Sequence, residues 1–306
     1  MIKNKKDYFL NECPISRNEG LVRRSILGKD LFKLYESYHG KKIDEKYFKI
    51  DEEQKIYELY SEESGLIWYS PLFLGDGSYY KHLEKTFPWY YNPASWDKSK
   101  CLEDAVMLNP DWVVEIGCGD GWLLSRIQSH GIDCMGIEVN ENAVDQCSSQ
   151  GLSVITPDTD LKPKKGNGIL CLLQTIEHLN DPLNIVSNYL NKLNPKYLII
   201  SAPCFESILG HSEDPLSWPP HHATSWSEKS MKYLGEKLGI TLHSIDYSRL
   251  TFDQFRGCVS QQHNGRLFGL PNIPNKPFDK FFYWAGKLYG SHWATRSHSI
   301  YACFKC

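Results

Sequence analysis

A chain of 306 residues is long enough for one large α/β domain with an appended module, and for burial of a substantial core. Charged residues make up 23% and the formal net charge is −3, so the overall balance gives no footprint for nucleic acid or an anionic membrane surface. No apolar run reaches the ~18 residues of a membrane span, and the start "MIKNKKDYFLNECP" has no apolar signal region, so a cytosolic protein is expected.

Residues 1–90 are rich in Lys, Glu and Tyr, with short alternating stretches such as "LIWYSPLFLG"; they predict a small, irregular α+β module without a long periodic helix. From 91 onward the pattern changes. "WDKSKCLEDAVML" has helical spacing, and strands and helices then alternate, the mark of a parallel, doubly wound sheet. "DWVVEIG" is a strand covered on both faces, and "GWLLSRIQSHG" is a helix with Leu123, Leu124 and Ile127 inward. "DCMGIEV", "LSVIT", "NGILCLL" and "KYLIISAP" supply the next strands. "ENAVDQCSSQG" and "DPLNIVSNYLNKL" are helices between them, the latter with Asp181 as N-cap and Pro182 at its first position. "TSWSEKSMKYLGEKLG" offers a capping box of Ser225 and Glu228. "ITLHSIDYS" and the terminal "SIYACFK" complete the sheet, and 250–298 between them reads as an insertion or lid.

Ten cysteines lie mostly singly inside apolar runs, which suits reduced, buried thiols better than a disulfide frame. Only Cys303 and Cys306 form a C-x-x-C pair, and that pair reads as the end of a strand.

The loop "EIGCGDG" after the first buried strand bares its backbone. A phosphate loop needs Lys followed by Ser or Thr after the last glycine, and Trp122 and Leu123 stand there instead. A dinucleotide site wants G-x-G-x-x-G around a pyrophosphate, whereas this spacing is G-x-G-x-G with Asp120 in the turn, where it would repel phosphates. A cationic nucleoside fits better. S-adenosyl-L-methionine carries a sulfonium and an ammonium, so Asp120 or Glu115 is tolerated or useful, and Gly117 and Gly119 allow close backbone approach. Glu138, at the end of the second strand, stands where an acid accepts both ribose hydroxyls. Asp158, Thr159 and Asp160 after the third strand are either partners of the adenine amino group or ordinary turn residues.

"VVEIGCGDGWLL", "MGIEVNENAV", "LLQTIEHLNDPL" and "YLIISAP", in this order, resemble a class I S-adenosylmethionine-dependent methyltransferase of the ubiquinone-biosynthesis-like group. The resemblance implies a Rossmann-like seven-stranded α/β sheet with helices on both faces and an antiparallel last strand. It implies that Glu115, Gly117, Cys118 and Gly119 surround the methionine part of the cofactor, that Glu138 and Val139 flank the ribose, and that Gln174 closes the pocket. "FPWYYNPASWDKSK" and "PLSWPPHHATSWS" further resemble methyltransferases of glycan and surface-polysaccharide biosynthesis, many of which begin with a zinc ribbon. Here "ECPIS" keeps Cys13 but has Ser16, and "LYSEESGLIWYSP" has no cysteine, so a metal-free module is expected, one ligand being too few for zinc.

Methyl transfer to oxygen needs the acceptor placed in line with the methyl–sulfur bond and a base for its proton. His221 and His222 follow Trp218, Pro219 and Pro220 in a loop beyond a strand C-terminus, where open α/β sheets bind ligands, and are the leading candidates for that base. His178 and Glu177 are rivals. Tyr90, Tyr91 and Trp218 are candidate acceptor contacts. The expected activity is metal-independent O-methylation of a sugar, glycan or other small polar acceptor. C-methylation of a nucleotide-linked keto sugar and a non-catalytic scaffold are the alternatives, with a nicotinamide-linked oxidoreductase behind them.

Overall fold

The computed structural model describes residues 12–40, 50–87, 94–207, 214–251, 284 and 297–306. Two sheets organise them. The larger has seven strands in the order β10-β11-β8-β7-β4-β5-β6: Thr241–Tyr247, Ser299–Lys305, Tyr197–Pro203, Gly168–Leu173, Trp112–Ile116, Asp133–Ile137 and Val154–Ile155. β11 runs antiparallel between β10 and β8, and the five strands from β8 to β6 are parallel. This is the Rossmann-like methyltransferase arrangement expected of the sequence, with a separate small sheet on its N-terminal side.

Sequence composition explains the central strands. β4, β7 and β8 are almost wholly buried, as strands covered by helices on both faces must be. α3 (Trp96–Leu108), α4 (Trp122–Ser129) and α5 (Glu141–Ser149) pack around Val113, Ile169 and Ile199 on one side. α6 (Pro182–Leu193) and α7 (Glu228–Leu238) bring Val186, Leu193, Met231 and Leu234 to the other. α6 begins as the sequence predicts, with Asp181 accepting the Asn184 N–H and Pro182 at its first turn.

The capping box of α7 differs from the expected one. Helix begins at Glu228, Ser227 is the N-cap, and its partner is Ser230. Thr224 and Ser225 are still extended at this point because they form β9, which pairs with Trp68 and Ile67 of β3. The small sheet has the antiparallel order β1-β2-β3-β9, with β1 Leu21–Leu27, β2 Lys55–Tyr60 and β3 Ile67–Ser70. Its last strand therefore comes from the far end of the chain.

The N-terminal residues also hold more helix than the sequence pattern suggests. α1 (Gly28–His39) is twelve residues long and buries Leu31 and Tyr35, one turn apart. α2 (Gly77–Thr86) is capped by Asp76 and buries Tyr79 and Leu83. These four side chains share a cluster with Tyr69 and Trp218. A second cluster is continuous from Val114, Leu172 and Ile200 of the large sheet through Trp226 to Leu66 and Trp68 beside β3. Trp226 is fully buried at this junction, and truncation of such a side chain typically costs about 3–5 kcal/mol.

Cys13 and Ser16 of "ECPIS" meet two serines of "LYSEESGL" in space. Cys13 Sγ lies 3.3 Å from Ser64 Oγ, and Ser16 Oγ lies 3.4 Å from Ser61 Oγ. All four residues are buried, so polar contacts between hydroxyls and a thiol occupy the knot. Cys303 lies in β11 and Cys306 directly after it.

Candidate active site

Chain order reverses between β4 and β7: from β4 the chain proceeds outward through β5 and β6, then returns to β7 on the other side. Ligands of open α/β sheets bind beyond the strand C-termini at such a point. A cleft of ≈ 520 Å³ lies there, within the range of about 300–1,000 Å³ typical of small-molecule sites.

The glycine loop forms one wall. Gly117, Gly119 and Gly121 all take positive φ, at 74°, 53° and 74°. At Gly117 the requirement is steric as well, because a Cβ would stand 2.4 Å from Thr175 Oγ1. Cys118 contributes backbone only; its thiol faces the core, where it fills the space a Cβ on Gly136 would need.

Glu138 holds the loop from β5. Its Oε2 accepts the Gly119 N–H at 2.9 Å, and its Oε1 accepts the N–H groups of Val139 and Asn140 at 2.8 and 2.9 Å. Gly119, Glu138 and Val139 line the cleft, and so does Gln174. Gln174 has a left-handed backbone, φ 51°, and its amide donates to Ser201 and Ser299 Oγ at 2.8 and 3.1 Å. Ser201 in turn donates to the buried carboxylate of Asp97. Pro157 lines the cleft, and Asp158 and Thr159 are exposed on the turn after it.

Glu115, in the middle of β4, is 1% exposed, and neither carboxylate oxygen has a hydrogen-bond partner among the described residues. Burial pushes its carboxyl up to about 8, against the pull of the Lys98 ammonium. Lys98, an α3 residue that sequence reasoning missed, lies 3.7 Å from Asp120 and is largely buried. Glu115, expected from the sequence beside the methionine part of the cofactor, lies beneath the glycine loop and is not among the residues that line the cleft. Gly117, Gly119, Glu138 and Gln174, which do line the cleft, are residues that would fit S-adenosylmethionine.

The histidines meet behind the next wall, and neither His221 nor His222 is among the residues that line the cleft. His178 lines the cleft and stands in a 3-10 turn after β7, Ile176–His178. Ring centroids are 4.9 Å apart for His178 and His221, 5.0 Å for His178 and His222, and 4.5 Å for the stacked His221–His222 pair. His178 Nδ1–H donates to the His221 backbone carbonyl at 2.6 Å, which leaves Nε2 as the bare nitrogen. Burial lowers His178 to about 4 and His222 well below its ordinary value, so both are neutral imidazoles near pH 7. Glu177 is 1% exposed with neither oxygen hydrogen-bonded among the described residues, and burial raises its carboxyl well above the usual range. Its Oε1 is 3.9 Å from His178 Nε2.

The loop bearing His221 and His222 is moored at several points. Pro220 O accepts the Gly75 N–H at 2.8 Å, and the Ala223 N–H donates to Glu177 O at 2.7 Å. Trp218, a candidate acceptor contact in the sequence, is 3% exposed and packs 5.0 Å from Tyr69 in the N-terminal core; it anchors the loop and does not line the cleft. Tyr80, which sequence reasoning passed over, does line it, with its hydroxyl 3.2 Å from His178 Nδ1. Tyr90 and Tyr91 lie outside the described residues, as does most of 250–298.

Residues 103–209 match the family model described as "Methionine biosynthesis protein MetW". The chain is 22% identical over 193 residues to the ubiquinone biosynthesis O-methyltransferase of Coxiella burnetii, covering 53% of this chain and 82% of that protein. Among solved structures, an S-adenosylmethionine-dependent methyltransferase from Archaeoglobus fulgidus aligns with TM-score 0.47 and 16% identity over 74% of this chain and all of the other. A possible histamine N-methyltransferase from Thermotoga maritima aligns with TM-score 0.47 and 16% identity over 74% and 96%. Among the described residues no helix is long and apolar enough to cross a membrane. Taken with the sheet order, the glycine loop and the Glu138 cradle, the curated relative and the family match make this chain a class I S-adenosylmethionine-dependent methyltransferase.

Proposed function

We propose that the protein methylates an oxygen of a sugar, glycan or other small polar acceptor, and that the acceptor hydroxyl gives up its proton to the cluster of His178, His221, His222 and Glu177. The observation that carries this reading is the position of His178, which both lines the cofactor cleft and belongs to the cluster. When bound, S-adenosylmethionine supplies an electrophilic methyl group; the polypeptide must position a weak nucleophile beside it and assist loss of a proton. The backbone carbonyl of His221 fixes the His178 ring, and the Gly75 and Ala223 contacts keep the opposing loop in place. Methylation at oxygen is favoured by the activity named for the Coxiella relative, an O-methyltransferase.

Calorimetry with S-adenosylmethionine and S-adenosylhomocysteine, with NADH as control, tests the cofactor side. A screen of sugar nucleotides and glycans, read by formation of S-adenosylhomocysteine and by the mass of the product, tests the acceptor side. Micromolar binding of the two sulfur nucleosides and a product heavier by one methyl on oxygen is the expected result. A methyl group found on carbon, or no polar acceptor among those offered, would overturn the acceptor reading.

A further inference from the structure

We propose that His178, His221 and His222, with Glu177 beside them, form a binding site for a divalent first-row transition metal, zinc being the ion this donor set suits. Three imidazoles, or two with a carboxylate, and one position left open to substrate form the common composition of catalytic zinc centres.

Geometry is the first support. One nitrogen from each of the three rings lies within 4.8 Å of the others. Two nitrogens on a tetrahedral zinc at the usual bond length stand about 3.4 Å apart, so closing the site needs shifts of up to about 0.7 Å per ring. Such shifts are within ordinary side-chain torsion.

The tautomer is the second. A ligating histidine characteristically donates its other ring N–H to a carbonyl or carboxylate, which fixes the ring and bares the ligating nitrogen. His178 does this through Nδ1 to the His221 carbonyl, and its bare Nε2 faces Glu177.

The third is charge. Glu177 is nine-tenths buried and more, it has no hydrogen bond to either oxygen among the described residues, and its nearest polar neighbour in the cluster is His178 Nε2 at 3.9 Å. A buried carboxyl without a hydrogen-bond partner is costly, and a divalent cation between it and the imidazoles would complete it as a carboxylate. The Ala223-to-Glu177 hydrogen bond already ties the two ligand-bearing segments together, so the ordering cost of assembling the site is met by the fold.

His178 also lines the cofactor cleft, so an ion held here would have a side open to the acceptor. This role rests on the reading given under Proposed function; binding of the ion does not. A metal-held hydroxyl would ionise more readily, and with the imidazoles occupied as ligands its proton would pass to Glu177, the remaining basic member of the cluster.

The test uses the full chain stripped with a chelator. Titration with Zn²⁺ by calorimetry and with Co²⁺ by visible absorption is expected to show one ion per chain and the ligand-field bands of a low-coordinate N/O site. His178→Ala, His222→Ala and Glu177→Gln should each weaken zinc at least about tenfold. Cys306→Ser, at the exposed cysteine, should leave zinc affinity unchanged. The proposal is overturned if neither ion binds stoichiometrically. It is equally overturned if a His178→Ala/His222→Ala double variant, shown to be folded by its circular dichroism and cooperative urea unfolding, takes up zinc like the parent. Zinc binding that depends on these residues, in a protein that methylates no polar acceptor, would support the metal site and sink the acceptor reading alone.

Discussion

His178 donates its Nδ1–H to the backbone carbonyl of His221, 43 residues further along the chain, at 2.6 Å. This bond couples the turn after β7 to the loop after β8, and it sets which nitrogen of His178 is exposed to the cluster. His178→Ala and His222→Ala are each expected to lower turnover by about 10²–10⁴. His222 is buried behind the cleft wall, so S-adenosylhomocysteine affinity of His222→Ala should match the parent, measured by calorimetry. Parent-like kcat in both variants would take the cluster out of the chemistry.

Glu138→Ala should weaken the cofactor and the fold together. It would leave the N–H groups of Gly119, Val139 and Asn140 without their acceptor, at a cost of about 1–3 kcal/mol for each that stays unsatisfied. Glu138→Gln keeps one carbonyl oxygen and should lose less. Urea unfolding and calorimetry on the same samples separate the two effects, and equal stability of parent and Ala variant would contradict the cradle.

Gly117→Ala should abolish cofactor binding and destabilise the protein. Its φ of 74° disfavours any side chain, and the added Cβ meets Thr175 Oγ1 at 2.4 Å. A Thr175→Ala/Gly117→Ala double variant should recover part of the stability, because it removes the clash and leaves the backbone strain. No recovery in thermal unfolding would assign the whole cost to the backbone.

Glu115 gives the protein a pH signature. Its carboxyl titrates near 4.5 in the unfolded chain and is pushed up to about 8 in the folded one. The native state therefore holds the extra proton between these values, and stability of the cofactor-free protein should fall as pH rises from about 4.5 to about 8. The total is on the order of a few kcal/mol. Glu115→Gln should flatten that part of the profile in urea unfolding at a series of pH values; a slope identical to the parent's would refute the assignment.

The Cys13–Ser64 and Ser16–Ser61 contacts make a further experiment direct. Ser16→Cys, Ser61→Cys and Ser64→Cys together would place four thiols at positions already packed against one another. That triple variant is expected to bind one zinc ion that the parent knot does not, with a rise in Tm on addition of the metal. Absence of extra zinc uptake would show that the knot has closed too far to accept an ion.

Much of the large sheet was legible because strands buried on both faces are continuous apolar runs, and "WVVEI", "GILCLL" and "YLIISAP" are such runs. The glycine spacing and Glu138 were legible for a related reason: backbone approach and a carboxylate cradle constrain residue type directly. What remained hidden was set by distance in the chain. Nothing in "IEH" or "PPHH" alone says that three imidazoles meet, since β7 and β8 must first lie side by side. β9 was invisible because two residues of strand carry no periodicity, and the same two residues displaced the predicted cap of α7 from Ser225 to Ser227. α1 was missed because its buried face is narrow, Leu31 and Tyr35 among charged neighbours. Trp218 looked like a ligand contact by its place beside the histidines, yet its ring is claimed by Tyr69.

β9 has a consequence for how the molecule comes apart. The edge of the N-terminal sheet is closed by residues that follow the histidines directly, and the Trp226 core continues across the same seam. Melting of the N-terminal strands would strip β9 of its partner and release the loop it ends, so the two halves are bound to lose structure in one cooperative transition. A graft of the N-terminal segment from another protein would have to bring a matching strand edge for Thr224 and Ser225, or forfeit the order of the loop that presents His221 and His222.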